Sequence, residues 1–265
     1  MSGWTTLTAT TEGRIGRLTL QQPDRLNPLG TVALTEIAEA AAWFDTTEAS
    51  VVVVTGAGRA FSSGFDLREF AGRPGSEDDG PTGTPLDPRA QADLGRVMAE
   101  AMERMRALTI AAIKGPCVGG GVVLAGVCDL RIAADDTVFS IPEVDLGIPL
   151  AWGGIPRLLR EIPPAIVREL VLTCRPFDAV EAHSLGFVNS VVPRNELDAA
   201  VEELAGQLAL KAPSVVRATK RQVNAALDDM ASTAGAWADA DQLGAAMRDP
   251  EARAAARDYL ARRQA

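Results

Sequence analysis

Apolar positions recur along this chain with two different periods, and the local period predicts the element at each place. In residues 14–20, Ile15, Leu18 and Leu20 sit among Gly, Arg and Thr, which reads as an edge-like strand paired with the stretch before it. Gln22-Pro23-Asp24 is turn chemistry. In residues 30–44, Leu34, Ile37, Ala38, Ala41 and Phe44 return at helical spacing and form one apolar face. Residues 50–55 read SVVVVT and are followed by Gly56-Ala57-Gly58. An unbroken valine run bounded by glycines suits a strand covered on both faces. Helical spacing returns over residues 91–108 through Leu94, Val97, Met98, Ala101, Met105 and Leu108. A short buried strand is expected at 110–113, an apolar helix at 122–128, and strands at 130–133 and 137–141. Residues 157–174 read as helix interrupted by Pro163-Pro164, and 188–192 as a last strand. From Asn195 onward the pattern is Ala-rich, amphipathic and helical, broken once at Ala212-Pro213. Strands alternating with helices, then helices alone, predict an α/β core with a helical appendage.

Residues 72–88 break all periodicity, with four Gly, four Pro and four acids in 17 positions. They read as a surface loop, either a tolerated insertion or a lid over a pocket. The chain has 265 residues, enough for one large domain with an appendage and for a core needing no disulfide or metal staple. Charge removes several functions. Lys and Arg total 26 against 35 Asp and Glu, giving −9 with no basic run, so nucleic acid is not an expected partner. A single His argues against a multi-histidine metal site. Cys117, Cys128 and Cys174 make no CxxC pair, which predicts reduced thiols and a cytoplasmic protein. No basic-then-apolar leader opens the chain, and no apolar run approaches the ~20 residues of a membrane span, so no membrane is expected.

Three short clusters could carry chemistry. Gly119-Gly120-Gly121 lies where a buried strand meets an apolar helix. Bare backbone amides at a helix start can stabilise an oxyanion, or the glycines can simply allow a tight turn. Neither glycine cluster is followed by the Lys-Ser/Thr of a phosphate loop, and Phe61 stands where a dinucleotide fingerprint needs its third Gly. The second cluster is the turn AFSSGFDL, residues 60–67. It misses the nucleophile-elbow pattern, and His183, near the Gly186 end of a helix, reads as a capping or packing residue, so Ser–His hydrolysis is rejected. The third is IPEVDLGIP, residues 141–149, which sets Glu143 and Asp145 in an apolar stretch after a strand. An acid there either has a raised pKa and moves protons near neutrality, or is one of two solvated loop acids.

Together and in this order, AFSSGFDL, KGPCVGGGVVLAGVCDLRIA, FSIPEVDLGIPLAWGGIPRL and EAHSLGFVNSVVP resemble the crotonase family, the enoyl-CoA hydratases and isomerases. The resemblance runs from about Ile15 to the C-terminus. It implies a spiral of ββα units over residues 1–195 carrying an acyl-CoA site. It also implies a helical trimerisation region over 196–265, giving a homotrimer or a dimer of trimers. The implied substrate is an acyl-CoA thioester, of which coenzyme A is a part, with no other cofactor and no metal. Implied oxyanion donors are the backbone amides of Phe65 and Gly120. Ser63, Gly64, Asp66, Leu67, Gly119 and Val123 are implied to border the acyl-CoA. Arg25 and Leu26 match the loop lying along the nucleotide, and Tyr259 and Arg262 match C-terminal positions reaching a neighbour's CoA.

The acids decide the reaction. Family hydratases use two glutamates; the second position is Glu143 here, but the first is Val123. A third acidic position used by some members is Ala151. One glutamate suffices to move a proton from C2 to C4 of a 3-enoyl thioester, so the pattern resembles single-glutamate 3-enoyl to 2-enoyl isomerases. The alternatives are a hydratase working with Glu143 alone and an acyl-CoA binding protein without turnover. Asp145 is expected to support the structure or Glu143. Trp152 is expected to line the acyl pocket or to sit in the core. The −9 charge leaves anionic CoA to local features such as Arg25, Arg262 and a helix N-terminus.

Overall fold

The computed structural model describes residues 3–70 and 87–264. Strands β1 (Leu7–Glu12) and β2 (Ile15–Leu20) form a hairpin whose turn holds Gly13 at φ +56°. Strand β2 then pairs in parallel with β3 (Val51–Gly56), so it is an interior strand and β1 is the edge. The expectation of an edge-like β2 fails because its Leu18 and Leu20 are buried while β1 carries the polar Thr and Glu positions. β4 (Leu108–Ile113), β6 (Leu130–Ala134) and β9 (Ser190–Val192) extend the sheet in parallel, in the order β1-β2-β3-β4-β6-β9. A second sheet of three strands joins β5 (Pro116–Val118), β7 (Val138–Ser140) and β8 (Phe177–Asp178).

The valine run explains the layering. Successive strand side chains point to opposite faces. Val52 and Val54 face a core with Ile37 and Phe44 of α1 (Thr31–Phe44) and Met98 and Met102 of α3 (Pro88–Arg104). Val51 and Val53 face Leu197, Val201 and Ala205 of α8 (Leu197–Ala209), which lies across the other side of the sheet. Each such buried side chain contributes about 1.5–3 kcal/mol. The first of the C-terminal helices thus completes the core.

Between them run α2 (Leu67–Phe70), α4 (Gly120–Gly126), α5 (Gly154–Glu161), α6 (Pro164–Thr173) and α7 (Ala179–Ser184). After α8 come α9 (Pro213–Met230), α10 (Asp239–Arg248) and α11 (Pro250–Gln264). The helical tail is therefore interrupted at 231–238 and at Asp249 as well as at Pro213; Gly235 and Pro250 lie at the added breaks. Helix α3 begins at Pro88, where Asp87 accepts from the Ala90 amide, and it ends at Arg104, before the expected 108. The Gly- and Pro-rich stretch read as insertion or lid lies, up to residue 86, outside the described residues.

Candidate functional site

Two turns are knitted together first. Asn27, buried at φ +54°, accepts from the Gln22 amide (3.0 Å) and donates to the carbonyls of Ala57 (2.9 Å) and Ala60 (3.0 Å). Ser62 donates to the Asn27 carbonyl (2.8 Å) and accepts from the Gly64 amide (3.1 Å). The Ser63 amide donates to the Leu26 carbonyl (2.7 Å), and its hydroxyl to that of Arg25 (3.3 Å). Both serines are thereby structural. Gly64, at φ +82°, is pressed onto the Val118 carbonyl, and a Cβ there would stand 3.5 Å from the Gly120 nitrogen. The Phe65 turn and the start of α4 therefore meet.

Gly119 adopts φ +49° and ψ −113°, and its amide is taken up by the Ser140 carbonyl (2.8 Å). Helix α4 starts at Gly120, inside the glycine run and two residues before the expected Val122. The Gly120 amide is thus a first-turn donor with no intrahelical acceptor. Among the described residues, the Phe65 and Gly120 amides donate to no other group. Two such free donors, one at the positive end of a helix, suit an oxygen that gains negative charge.

Glu143 stands beside them. Strand β7 ends at Ser140, and Ile141-Pro142 carry the chain inward. The Glu143 carboxyl packs against the bare face of Gly119, where any Cβ would collide with Oε1. The residue is 9% exposed, and Oε2 has no hydrogen-bond partner. Burial raises the carboxyl pKa from 4.5 to about 7, against a smaller opposing effect of its own backbone amide. An acid held near neutrality can both take and return a proton. Asp145, by contrast, is exposed, beside Cys174, and supports neither Glu143 nor the core; the chain has turned outward by Val144.

Phe65, Gly120 and Glu143 line one cavity of about 380 Å³. Trp152 forms much of its wall, edge-on to Phe65 with ring centroids 6.2 Å apart. It holds a left-handed backbone, φ +63°, and is only 7% exposed, so it both lines the cavity and belongs to the core. Its indole covers Gly95 of α3 and Gly120, and a Cβ at either would strike the ring. The loop is fixed by Arg157, whose guanidinium donates to the Trp152 carbonyl (2.9 Å) and pairs with Glu103 (2.7 Å). Ala151 also lines the cavity. Val123, implied as a substrate neighbour, is 2% exposed and lies behind that wall against Gly154, because the first turn of α4 aims it into the core. Both positions where further acids could stand are apolar.

The outer residues Arg25, Leu26, Asp66, Leu67, Tyr259 and Arg262 lie off the cavity lining. Arg25 forms an ion pair with Asp66 and donates to Gln22 (3.1 Å), so its charge is already met. Asp66 also accepts from the Arg68 amide (3.1 Å), and Leu67 opens α2. Leu26 has φ +61° and closes the Pro23–Arg25 turn. Tyr259 and Arg262 lie on α11, away from the cavity lining of this chain, with Arg262 exposed. His183 is exposed on α7 and caps nothing at the site. Among the described residues no group of three His, Cys, Asp or Glu could hold a metal, and no helix is long and apolar enough to cross a membrane.

Sequence reasoning missed the far wall: Leu34, Glu69, Gln91 and, on α10, Leu243, Gly244 and Met247. Glu69 accepts from the Thr31 amide and hydroxyl, both at 2.8 Å, and so caps α1. A signal existed, since the N-cap position is Gly30, which has no side chain to do this.

The sequence profile of the enoyl-CoA hydratase/isomerase family matches residues 10–265. The chain is 33% identical over 215 residues to a crotonyl-CoA hydratase of Syntrophomonas wolfei, covering 80% of this chain and 79% of that one. It is 35% identical over 216 residues to a peroxisomal Delta(3,5)-Delta(2,4)-dienoyl-CoA isomerase of Arabidopsis thaliana, covering 79% and 77%. Among solved structures, an enoyl-CoA hydratase/isomerase from Xanthobacter autotrophicus Py2 aligns with TM-score 0.81 at 30% identity, over 95% of this chain and 91% of that one.

Proposed function

Because this chain belongs to the enoyl-CoA hydratase/isomerase family, we propose that it shifts the double bond of a 3-enoyl-CoA to the 2-position. Glu143 takes a proton from C2, the electron pair moves into the thioester, and the enolate oxygen accepts from the Phe65 and Gly120 amides. The same carboxyl then returns the proton to C4, the double bond settles between C2 and C3, and no atom is gained or lost. Coenzyme A enters as part of the substrate, and the cycle needs no cofactor of its own.

The observation that carries this reading is a buried carboxyl, near-neutral in pKa and with an unpartnered Oε2, in a cavity it shares with the Phe65 and Gly120 amides, whereas the other carboxylates lining that cavity are engaged, Glu69 by Thr31 and Asp241 by Arg89. At the two positions where a second catalytic acid would stand the chain has Val123 and Ala151, and the apolar Ala151 and Trp152 in the wall favour a dienolate over a held water. The hydratase names among the relatives favour a second reading, addition of water to a 2-enoyl-CoA with Glu143 alone. We place residues 1–195, with α8 that completes their core and α10 that lines their cavity, as the catalytic unit, and the rest of 196–265, α9 above all, as the region through which copies assemble into a trimer or a pair of trimers. Three free thiols support a reducing, cytoplasmic setting.

Incubation with a 3-enoyl-CoA and, separately, with a 2-enoyl-CoA decides the reaction by mass spectrometry. The expected result is a mass-neutral conversion of the first to the conjugated isomer. A gain of one water by the second substrate overturns isomerisation in favour of hydration. Binding without turnover of either leaves an acyl-CoA binding protein.

A further inference from the structure

The far half of the cavity is built from elements that do no chemistry. Leu34 of α1 and Leu243, Gly244 and Met247 of α10 line it together with Leu150 and Trp152, while Glu69, Gln91 and the Arg89–Asp241 pair add polar lining. Helix α10 is fixed in place at two points: Asp239 accepts from the Gly153 amide (2.7 Å), and Asp241 pairs with Arg89 of α3 (2.8 Å). The wall is therefore part of the folded chain. Its volume can be judged against a known case, since a cavity of roughly 150 Å³ lined by apolar side chains holds one benzene. At about 380 Å³, this one has room for about two such rings, on the order of a dozen carbons, with the thioester end beside Phe65, Gly120 and Glu143 taking part of that space. A four-carbon acyl group would leave most of the apolar wall unfilled, and unfilled apolar wall forfeits its dispersion contacts.

We propose that this cavity selects a bulky apolar acyl group, a chain of about eight or more carbons or a ring system of that size, and that α10 sets the limit. Gly244 is the position that keeps the space open. A Cβ built there meets only the far end of Arg248, at 3.5 Å, so a larger side chain fits the helix and occupies the cavity. The inference rests on the site being an acyl-CoA site, and it is independent of whether the enzyme isomerises or hydrates.

The test is binding of saturated butyryl-CoA and decanoyl-CoA by calorimetry, alongside turnover of four-carbon and ten-carbon 3-enoyl-CoA. The expected result is at least tenfold tighter binding of decanoyl-CoA, with the same order in kcat/KM. Gly244→Phe is expected to cut the decanoyl-to-butyryl affinity ratio at least tenfold. An affinity ratio within threefold in the wild type overturns the proposal. So does a ratio that Gly244→Phe leaves unchanged, because a long chain held by non-specific contact would not respond to that position. Affinities that follow chain length with no turnover of either 3-enoyl-CoA count against the proposed reaction and for the acyl-size assignment. The wild-type comparison stands by itself if the variant fails to fold.

Discussion

At the scale of the residue, the proposed reaction puts both its chemistry and its cost on Glu143. A carboxyl raised to about 7 must be ionised to take the C2 proton. The rate on a 3-enoyl-CoA is therefore expected to fall about tenfold per pH unit well below 7. A flat kcat/KM between pH 5 and 8 would contradict that role. Glu143→Gln is expected to reduce turnover about 10²–10⁴-fold while acyl-CoA affinity holds. The same burial predicts a stability effect of defined sign. In the folded state the proton is held up to about pH 7, and in the unfolded state only to about 4.5. Between those values the folded state binds more protons, so the wild type loses stability as pH rises, by roughly 3 kcal/mol in all. Glu143→Gln does not titrate, so its advantage in urea unfolding should be near its minimum below pH 4.5 and grow up to pH 7. An advantage that stays constant with pH would mean the carboxyl is not desolvated.

At the scale of the element, the site depends on close approaches at Gly64, Gly95, Gly119 and Gly120. Helix α4 begins inside the glycine run so that its first amide is free, and Trp152 closes over that start and over α3. Gly95→Ala puts a methyl group into the indole ring. Ala is the better helix former by about 1 kcal/mol, yet overpacking against a buried ring costs typically 1–3 kcal/mol. A net loss of stability is expected, and it should be relieved by Trp152→Leu, so that the pair is less destabilised than the sum of the two changes. Strict additivity in chemical unfolding would show that the contact is not made. Gly120→Ala at the same ring displaces a proposed oxyanion donor as well. It should lower kcat by about 10²–10³-fold beyond any change in Tm.

At the scale of the whole molecule, what the sequence discloses is what local pattern controls. The SVVVVT run, the α1 face and the Gly119–Gly121 junction are legible because neighbours along the chain specify them. Phe65, Gly120, Glu143 and Trp152 come together on one cavity as the motif order suggests. What was not legible is set by partners distant in sequence. The pairing of β2 with β3, the ion pair of Arg25 with Asp66 across 41 positions, and the share of α10 in the cavity wall with Trp152 leave no periodic trace. The spacing of Met105 and Leu108 carries the expected α3 past its end, although Met105 already has a non-helical, extended backbone.

Helix α9 carries the remaining question of scale. Of its 18 residues only Lys220 is buried, through bonds to Asp129 (2.8 Å) and the Ala107 carbonyl (2.9 Å). Val215, Val223 and Met230 are 62%, 51% and 60% exposed and fall on one side of the helix, with Leu210 just before it at 87%. A single copy thus leaves an apolar stripe in water, where burial of each side chain would contribute about 1.5–3 kcal/mol. The proposed trimer gives that stripe a cover. Light scattering during size exclusion is expected to return three or six times the chain mass, and Val223→Asp should shift the population toward the monomer with its helical circular dichroism retained. A wild type that elutes at the monomer mass at micromolar concentration would overturn the assembly. It would leave the Glu143 chemistry standing, since Phe65, Gly120 and Glu143 all belong to one chain.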